Sequence, residues 1–115
     1  MNKGWIGVDL DGTLAYYTGI WTTDLEVGAP IPLMVKRVQH WLASGFEVRI
    51  LTARVNSKNP RREAVTKVIQ DWCETNIGQT LEVTAEKDYD MIILWDDRAV
   101  RVETNTGKIL SKERD

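Results

Sequence analysis

Four short apolar runs alternate with longer stretches in which apolar residues recur at three- and four-residue steps. Trp5-Ile6-Gly7-Val8 is bounded by turn residues and predicts a buried strand. Phe46, Val48 and Ile50 alternate with Glu47 and Arg49, so a second strand begins half exposed and closes at Leu51-Thr52. Leu81-Glu82-Val83 predicts a short third strand near an edge. Met91-Ile92-Ile93-Leu94-Trp95 is apolar throughout, which predicts a fourth strand covered on both faces. Between the strands, Ile31, Met34, Val35, Val38, Trp41 and Leu42 make one helical face. Pro30 and Pro32 mark its start and Gly45 its end. Ala64, Val65, Val68, Ile69, Trp72 and Cys73 form the stripe of a second helix, with Asn59-Pro60 as cap and first turn and Gly78 as stop. Ala15 to Gly28 has no helical period and reads as a loop or short hairpin flap. Val100 to Val102 and Lys108 to Leu110, around Asn105-Thr106-Gly107, predict a terminal hairpin.

Strands alternating with helices predict an α/β fold with right-handed crossovers. The expected architecture is a three-layer, Rossmann-like parallel sheet with helices on both faces, a short flap and a terminal β-hairpin. In such sheets ligands bind beyond the carboxyl ends of the strands. Asp9, Asp11, Thr52, Lys87, Asp96 and Asp97 all lie at or just after predicted strand ends, so one topological rule gathers them at one edge. In Asp9-Leu10-Asp11-Gly12 two carboxylates stand one residue apart, and each disfavours the other's ionisation. A hard cation with oxygen ligands offsets that cost. A solvated Asp-x-Asp-Gly turn is the plainer alternative for the tetrapeptide alone. Convergence with the other four residues favours a functional site. Gly12 lets the chain turn sharply there.

At 115 residues the chain, 1–115, is expected to form one domain. A hydrophobic fraction of 43% and a charged fraction of 28% fit a globular protein. The net charge of −2 supplies no global field for nucleic acid, although a local basic patch stays open. Cys73 is the only cysteine and falls in the second helical stripe, where a packed, unreactive thiol is expected. With His40 the only histidine, a multi-histidine metal site within one chain is excluded. No stretch has the length of a membrane span, and the first residues lack a secretory signal pattern, so a cytoplasmic setting without membrane contact is expected.

The order Asp-x-Asp-Gly-Thr (9–13), Thr52, Lys87, Asp96-Asp97 resembles the four motifs of the haloacid dehalogenase superfamily of phosphatases. The resemblance runs from Trp5 to about Val102. It implies a HAD-like fold and a magnesium-dependent phosphatase that works through an aspartyl-phosphate. Asp9 is the implied nucleophile and Asp11 the general acid and base. Thr52 donates to the phosphoryl group, and Lys87 offsets the anionic load. Asp9, Asp11 (through its backbone carbonyl), Asp96 and Asp97 make up the implied Mg2+ site, with Asp97 also placed to orient a metal-bound water or Lys87. Gly12 and Arg54 are assigned to the substrate side. The gap between Thr13 and Thr52 holds only a flap and one helix, which resembles the small capless members.

An open site is compatible with a nucleotide, a phosphorylated nucleic-acid end or a phosphoprotein. Arg54, Lys58, Arg61 and Arg62 either grip a polyanionic ligand or form a solvated, internally paired run. Tyr16, Tyr17 and Trp21 either stack on a base or pack the flap against the body. A non-catalytic interaction module and a phosphotransferase are the competing readings. Neither substrate nor oligomeric state is legible from the sequence.

Overall fold

The computed structural model describes residues 4–20 and 22–110. Its elements run β1 (Trp5–Asp9), α1 (Pro32–Ala43), β2 (Glu47–Leu51), a single 3-10 turn (Ala53–Val55), α2 (Arg62–Asn76), β3 (Glu82–Thr84) and β4 (Met91–Trp95). The four strands form one sheet in the order β3-β2-β1-β4, and every neighbouring pair is parallel. This is the α/β, Rossmann-like arrangement expected from the alternation of elements.

Pro32 opens α1, where its missing N–H costs nothing. The turn after the helix contains Gly45 at φ +91°. Helix α2 starts two residues later than Asn59-Pro60 suggests. The Asn59 side chain instead accepts from the Arg61 N–H at 2.9 Å and braces the turn before the helix. Met34, Val35 and Val38 of α1 and Val65, Ile69 and Cys73 of α2 share one buried cluster with Ile6, Val8, Val48 and Ile50 of the sheet. The Gln39 amide of α1 donates to the Ile77 carbonyl at the end of α2 at 2.9 Å, so the two helices lie side by side.

Helices on both faces, as the sequence leads one to expect, are not found among the described residues. The reason is topological. The steps β1 to β2 to β3 move in one direction along the sheet, and right-handed crossovers then place both helices on the same side. The step from β3 to β4 reverses direction, but residues 85–90 contain no helix. Trp5 covers that second face instead. Its ring lies over Gly7, where a Cβ would stand 3.1 Å from the ring and 3.2 Å from Leu94 Cδ1 and Met91 Sδ. The Arg49 guanidinium stacks 4.6 Å from the ring centroid, and the indole N–H donates to Asp88 Oδ1 at 2.8 Å. Trp5 is thereby 1% exposed on a face with no helix.

Strand β4 also departs from expectation. It is an edge strand, and Ile92 and Ile93 are exposed rather than covered. A register shift against Trp5 and Ile6 inserts the additional residue. At its far end the half-buried Trp95 packs against Trp41 of α1 with centroids 5.1 Å apart, beneath the Arg37 guanidinium.

The flap leaves and rejoins the body through an antiparallel Ala15–Pro30 bridge and a bond from the Tyr16 N–H to the Ala29 carbonyl at 2.8 Å. The terminal hairpin is a single antiparallel bridge, Val102–Ile109, with Asn105 and Gly107 at positive φ in its turn.

Candidate functional site

Strand β1 lies between β2 and β4, so the chain order reverses at its carboxyl end, where open α/β sheets form their ligand crevice. Asp9 closes β1, and Asp96 and Asp97 directly follow β4. A tight loop follows Asp9, built around the buried Leu10, whose carbonyl accepts from the N–H groups of Thr13, Leu14 and Ala15 at 3.3, 3.0 and 2.9 Å. Leu14 and Ala15 are themselves fully buried, which anchors the loop.

The side chains of Asp9, Asp96 and Asp97 can each offer an oxygen within 4.8 Å of the others. Thr13 links two of them: its hydroxyl lies 3.1 Å from Asp97 Oδ1 and 3.3 Å from Asp9 Oδ2, and it accepts from the Asp97 N–H at 3.0 Å. Asp96 accepts from the Arg98 N–H at 2.8 Å. Burial, a hydrogen bond to Asp97 and the charges of Asp96 and Asp97 push the Asp9 carboxyl up to about 7, with donation from Thr13 opposing them. The donor set is all carboxylate oxygen, with neither histidine nor cysteine in the group, so it fits a hard divalent cation such as magnesium better than zinc.

Gly12 sits at φ +92°, and a Cβ there would lie 2.6 Å from Asp97 Oδ2. Its N–H is spent on the Ala15 carbonyl at 2.8 Å. Gly12 therefore admits Asp97 to the loop, and it is not among the residues that line the cleft. Gly12→Ala is expected to cost about 1–2 kcal/mol from the left-handed backbone alone. Urea unfolding measures this, and an unchanged midpoint would overturn both the backbone strain and the close approach of Asp97.

A cleft of about 470 Å3 opens beside this group, lined by Asp9, Asp11, Tyr17, Gly19, Thr52, Ala53, Arg54, Asp97 and Arg98. Thr52 is buried, its N–H donating to the Thr84 carbonyl at 2.8 Å and its hydroxyl accepting from the Arg54 N–H at 3.2 Å. Asp11 stands outside the three-carboxylate group but on the same cleft. Its carboxylate is gripped by the Arg54 fork, Nε to Oδ2 at 2.9 Å and Nη2 to Oδ1 at 2.8 Å.

Arg54 is 8% exposed, and its Nη1 donates to the Asp24 and Glu26 carbonyls at 2.9 and 2.6 Å. It lines the cleft as expected, but as a buried cation whose fork is engaged by Asp11 and the flap carbonyls. Arg61 and Arg62 of the basic run follow suit. Arg61 pairs with Asp24 at 3.0 Å, holding that carboxyl below the usual carboxylate range together with Asn59, and Arg62 donates to the Ser57 carbonyl. These contacts favour the internally paired reading over a polyanion grip.

Lys87 is not among the residues that line the cleft. It is exposed, and its neighbour Asp88 is tied to Trp5 at the opposite end of β1. Besides Arg54, the cleft is lined by Arg98, which the sequence reading missed although it directly follows Asp97. The sequence assigns Thr13 no role of its own either, although it lies within the motif and follows Gly12. Tyr16 and Tyr17 line a second pocket of about 610 Å3 under the flap, which shares Asp11, Tyr17 and Arg54 with the cleft. Trp21 lies outside the described residues.

No protein-family model and no curated protein matches the chain. Among solved structures, the chain is similar to a conserved protein coded by a locus of Bacteroides thetaiotaomicron, with a TM-score of 0.58 at 18% identity over 86% of this chain and 79% of that one. A likeness at that identity extends to the fold and no further.

Proposed function

We propose that this chain is a HAD-like, magnesium-dependent phosphatase acting on a phosphate monoester in the cytoplasm. The observation that carries the reading is the meeting of the Asp9, Asp96 and Asp97 carboxylates at the strand-order reversal, on the cleft that Thr52 and Arg98 line. In this reading Asp9 attacks phosphorus, the bond from phosphorus to the leaving oxygen breaks, and an aspartyl-phosphate forms on Asp9. Asp11 gives a proton to the leaving oxygen. It then takes one from the water that attacks phosphorus, which releases inorganic phosphate and frees Asp9. Thr52 donates its hydroxyl to the phosphoryl group, and Arg98 supplies the cation first assigned to Lys87. Asp9, Asp96 and Asp97, with the Asp11 carbonyl, would hold the magnesium ion. That ion supplies positive charge, which keeps Asp9 ionised and offsets the charge on the phosphoryl oxygens.

A screen of aryl phosphate, phosphorylated metabolites, nucleotides and 3′- and 5′-phosphorylated oligonucleotides tests this. Phosphate release is expected with magnesium and should cease in excess chelator. Release that persists in chelator would remove the metal from the reading. No release from any substrate, with no protection of the fold by magnesium and beryllium fluoride, would overturn it.

A further inference from the structure

We infer that Arg54 is a positioning residue that makes the orientation of Asp11 and the placement of the flap one coupled variable. One buried guanidinium spends Nε and Nη2 on the two oxygens of Asp11, and Nη1 on the carbonyls of Asp24 and Glu26 in the flap. The pair is well shielded, with side-chain exposures of 5% for Arg54 and 14% for Asp11. A planar fork cannot tilt toward one set of partners without leaving the other, because its donors are held in one plane.

The far side of the network is braced as well. The Asn59 amide donates to the Arg54 carbonyl at 2.7 Å and to Asp24 Oδ2 at 3.0 Å, and Arg61 holds the Asp24 carboxylate. The flap segment around Asp24 is therefore tied to the turn before α2, and Arg54 carries that tie into the catalytic loop. The fork takes one lone pair from each Asp11 oxygen, so each keeps a site that can carry the proton given to the leaving oxygen and later taken from water. A flap displaced by substrate draws on Arg54 and turns Asp11 with it. Coupling of this kind is reciprocal, so a change at Asp11 must also be felt in the flap.

The inference rests on the phosphatase reading only for the role of Asp11, and the test separates the two. The flap bond Glu26–Val27 carries the carbonyl that Arg54 holds at 2.6 Å, so a glutamate-specific protease can cut there only after that bond opens. Cleavage at Glu26 is compared with cleavage at Glu74 in α2 for the wild type, Arg54→Lys and Asp11→Asn. Arg54→Lys keeps the charge and loses the fork. It is expected to speed cleavage at Glu26 by roughly tenfold, inside the 5–150-fold range of ordinary site coupling, and to leave Glu74 unchanged. Asp11→Asn is expected to speed Glu26 several-fold as well, although its change lies outside the flap. With aryl phosphate, Arg54→Lys should lose about tenfold in kcat with KM within a factor of two, and added guanidinium should restore part of the kcat of Arg54→Ala. Wild-type cleavage at Glu26 in Asp11→Asn would overturn the coupling, as would a faster Glu26 in Arg54→Lys with kcat unchanged. A wild type without phosphatase activity would sink the functional reading and leave the proteolysis comparison to decide the coupling alone.

Discussion

Asp9→Asn is expected to lose phosphate release by about 10^4-fold or more while gaining thermal stability in chelator. The loss follows because an amide cannot form the acyl-phosphate bond, and removing a nucleophile from a set of groups that act as a unit forfeits most of the chemistry. The gain follows from the same geometry. Asp9 is half-buried and within reach of two further carboxylates, with its carboxyl pushed up to about 7 by burial, by the hydrogen bond to Asp97 and by the charges of Asp96 and Asp97. Without a cation, the folded state at pH 7.5 carries that repulsion. Asparagine removes one of the three charges and keeps the shape, and Thr13 can still donate to its carbonyl oxygen. Allowing for solvent screening, the gain is on the order of 1 kcal/mol, or about 4 °C for a domain of this size. Steady-state kinetics and thermal melts in chelator check both halves. Activity within tenfold of wild type would remove Asp9 as nucleophile, and an unchanged or lower melting temperature would show that the carboxylates do not oppose one another.

The residues that sequence and structure both put at the carboxyl edge of the sheet share one property: each ends a strand or follows it within two residues. Asp9, Thr52, Asp96 and Asp97 needed only the strand boundaries and the rule for parallel sheets. Lys87 illustrates where that rule stops. Strand β3 ends at Thr84, at the carboxyl edge, whereas Met91 pairs with Trp5 at the amino edge. Six residues, 85–90, must run back along the whole sheet. Extended chain covers about 3.3–3.6 Å per residue, or roughly 20 Å in all, against about 16 Å for a five-residue strand. The link is nearly taut, so a residue midway along it has already left the site edge. The cover of β4 was illegible for a different reason. An unbroken apolar run announces burial but not what provides it, and here no helix stands between β3 and β4. Arg54 shows a third limit. Its charge was visible, but its acidic partner lies 43 positions away. Only the folded chain shows that Asp11 and two flap carbonyls consume its donors.

Magnesium and pH are expected to act on stability through the same three carboxylates. The Asp9 carboxyl titrates near 3.8 in the unfolded chain and about 7 in the folded one. Between those values the folded state binds more protons, so stability falls as pH rises through that window and levels off above it. The Asp9 contribution is fully present below about pH 3.8 and is lost by about pH 7. Asp24 and Asp88 work in the opposite sense. Hydrogen bonds from Arg61 and Asn59 hold the first below its ordinary value, and those from Trp5 and the Asp90 N–H hold the second. Their contributions are present above the ordinary carboxylate range and are lost in acid. The metal-free protein should therefore melt highest at mildly acidic pH and lower at pH 8.

Magnesium should reverse that slope. Its ligands must be ionised, so its affinity climbs with pH until Asp9 has lost its proton. At 100 times the dissociation constant the ion adds about 2.7 kcal/mol, or roughly 10 °C. Thermal melts at pH 5, 6, 7 and 8, with and without magnesium, measure both effects. Asp96→Ala should lessen the metal-free slope, because it removes one of the charges that raise Asp9 while burial and the Asp97 hydrogen bond remain, and should abolish most of the magnesium shift. A metal-free melting temperature that climbs from pH 5 to pH 8, with no response to magnesium at any pH, would mean that the three carboxylates neither burden the fold nor hold a cation.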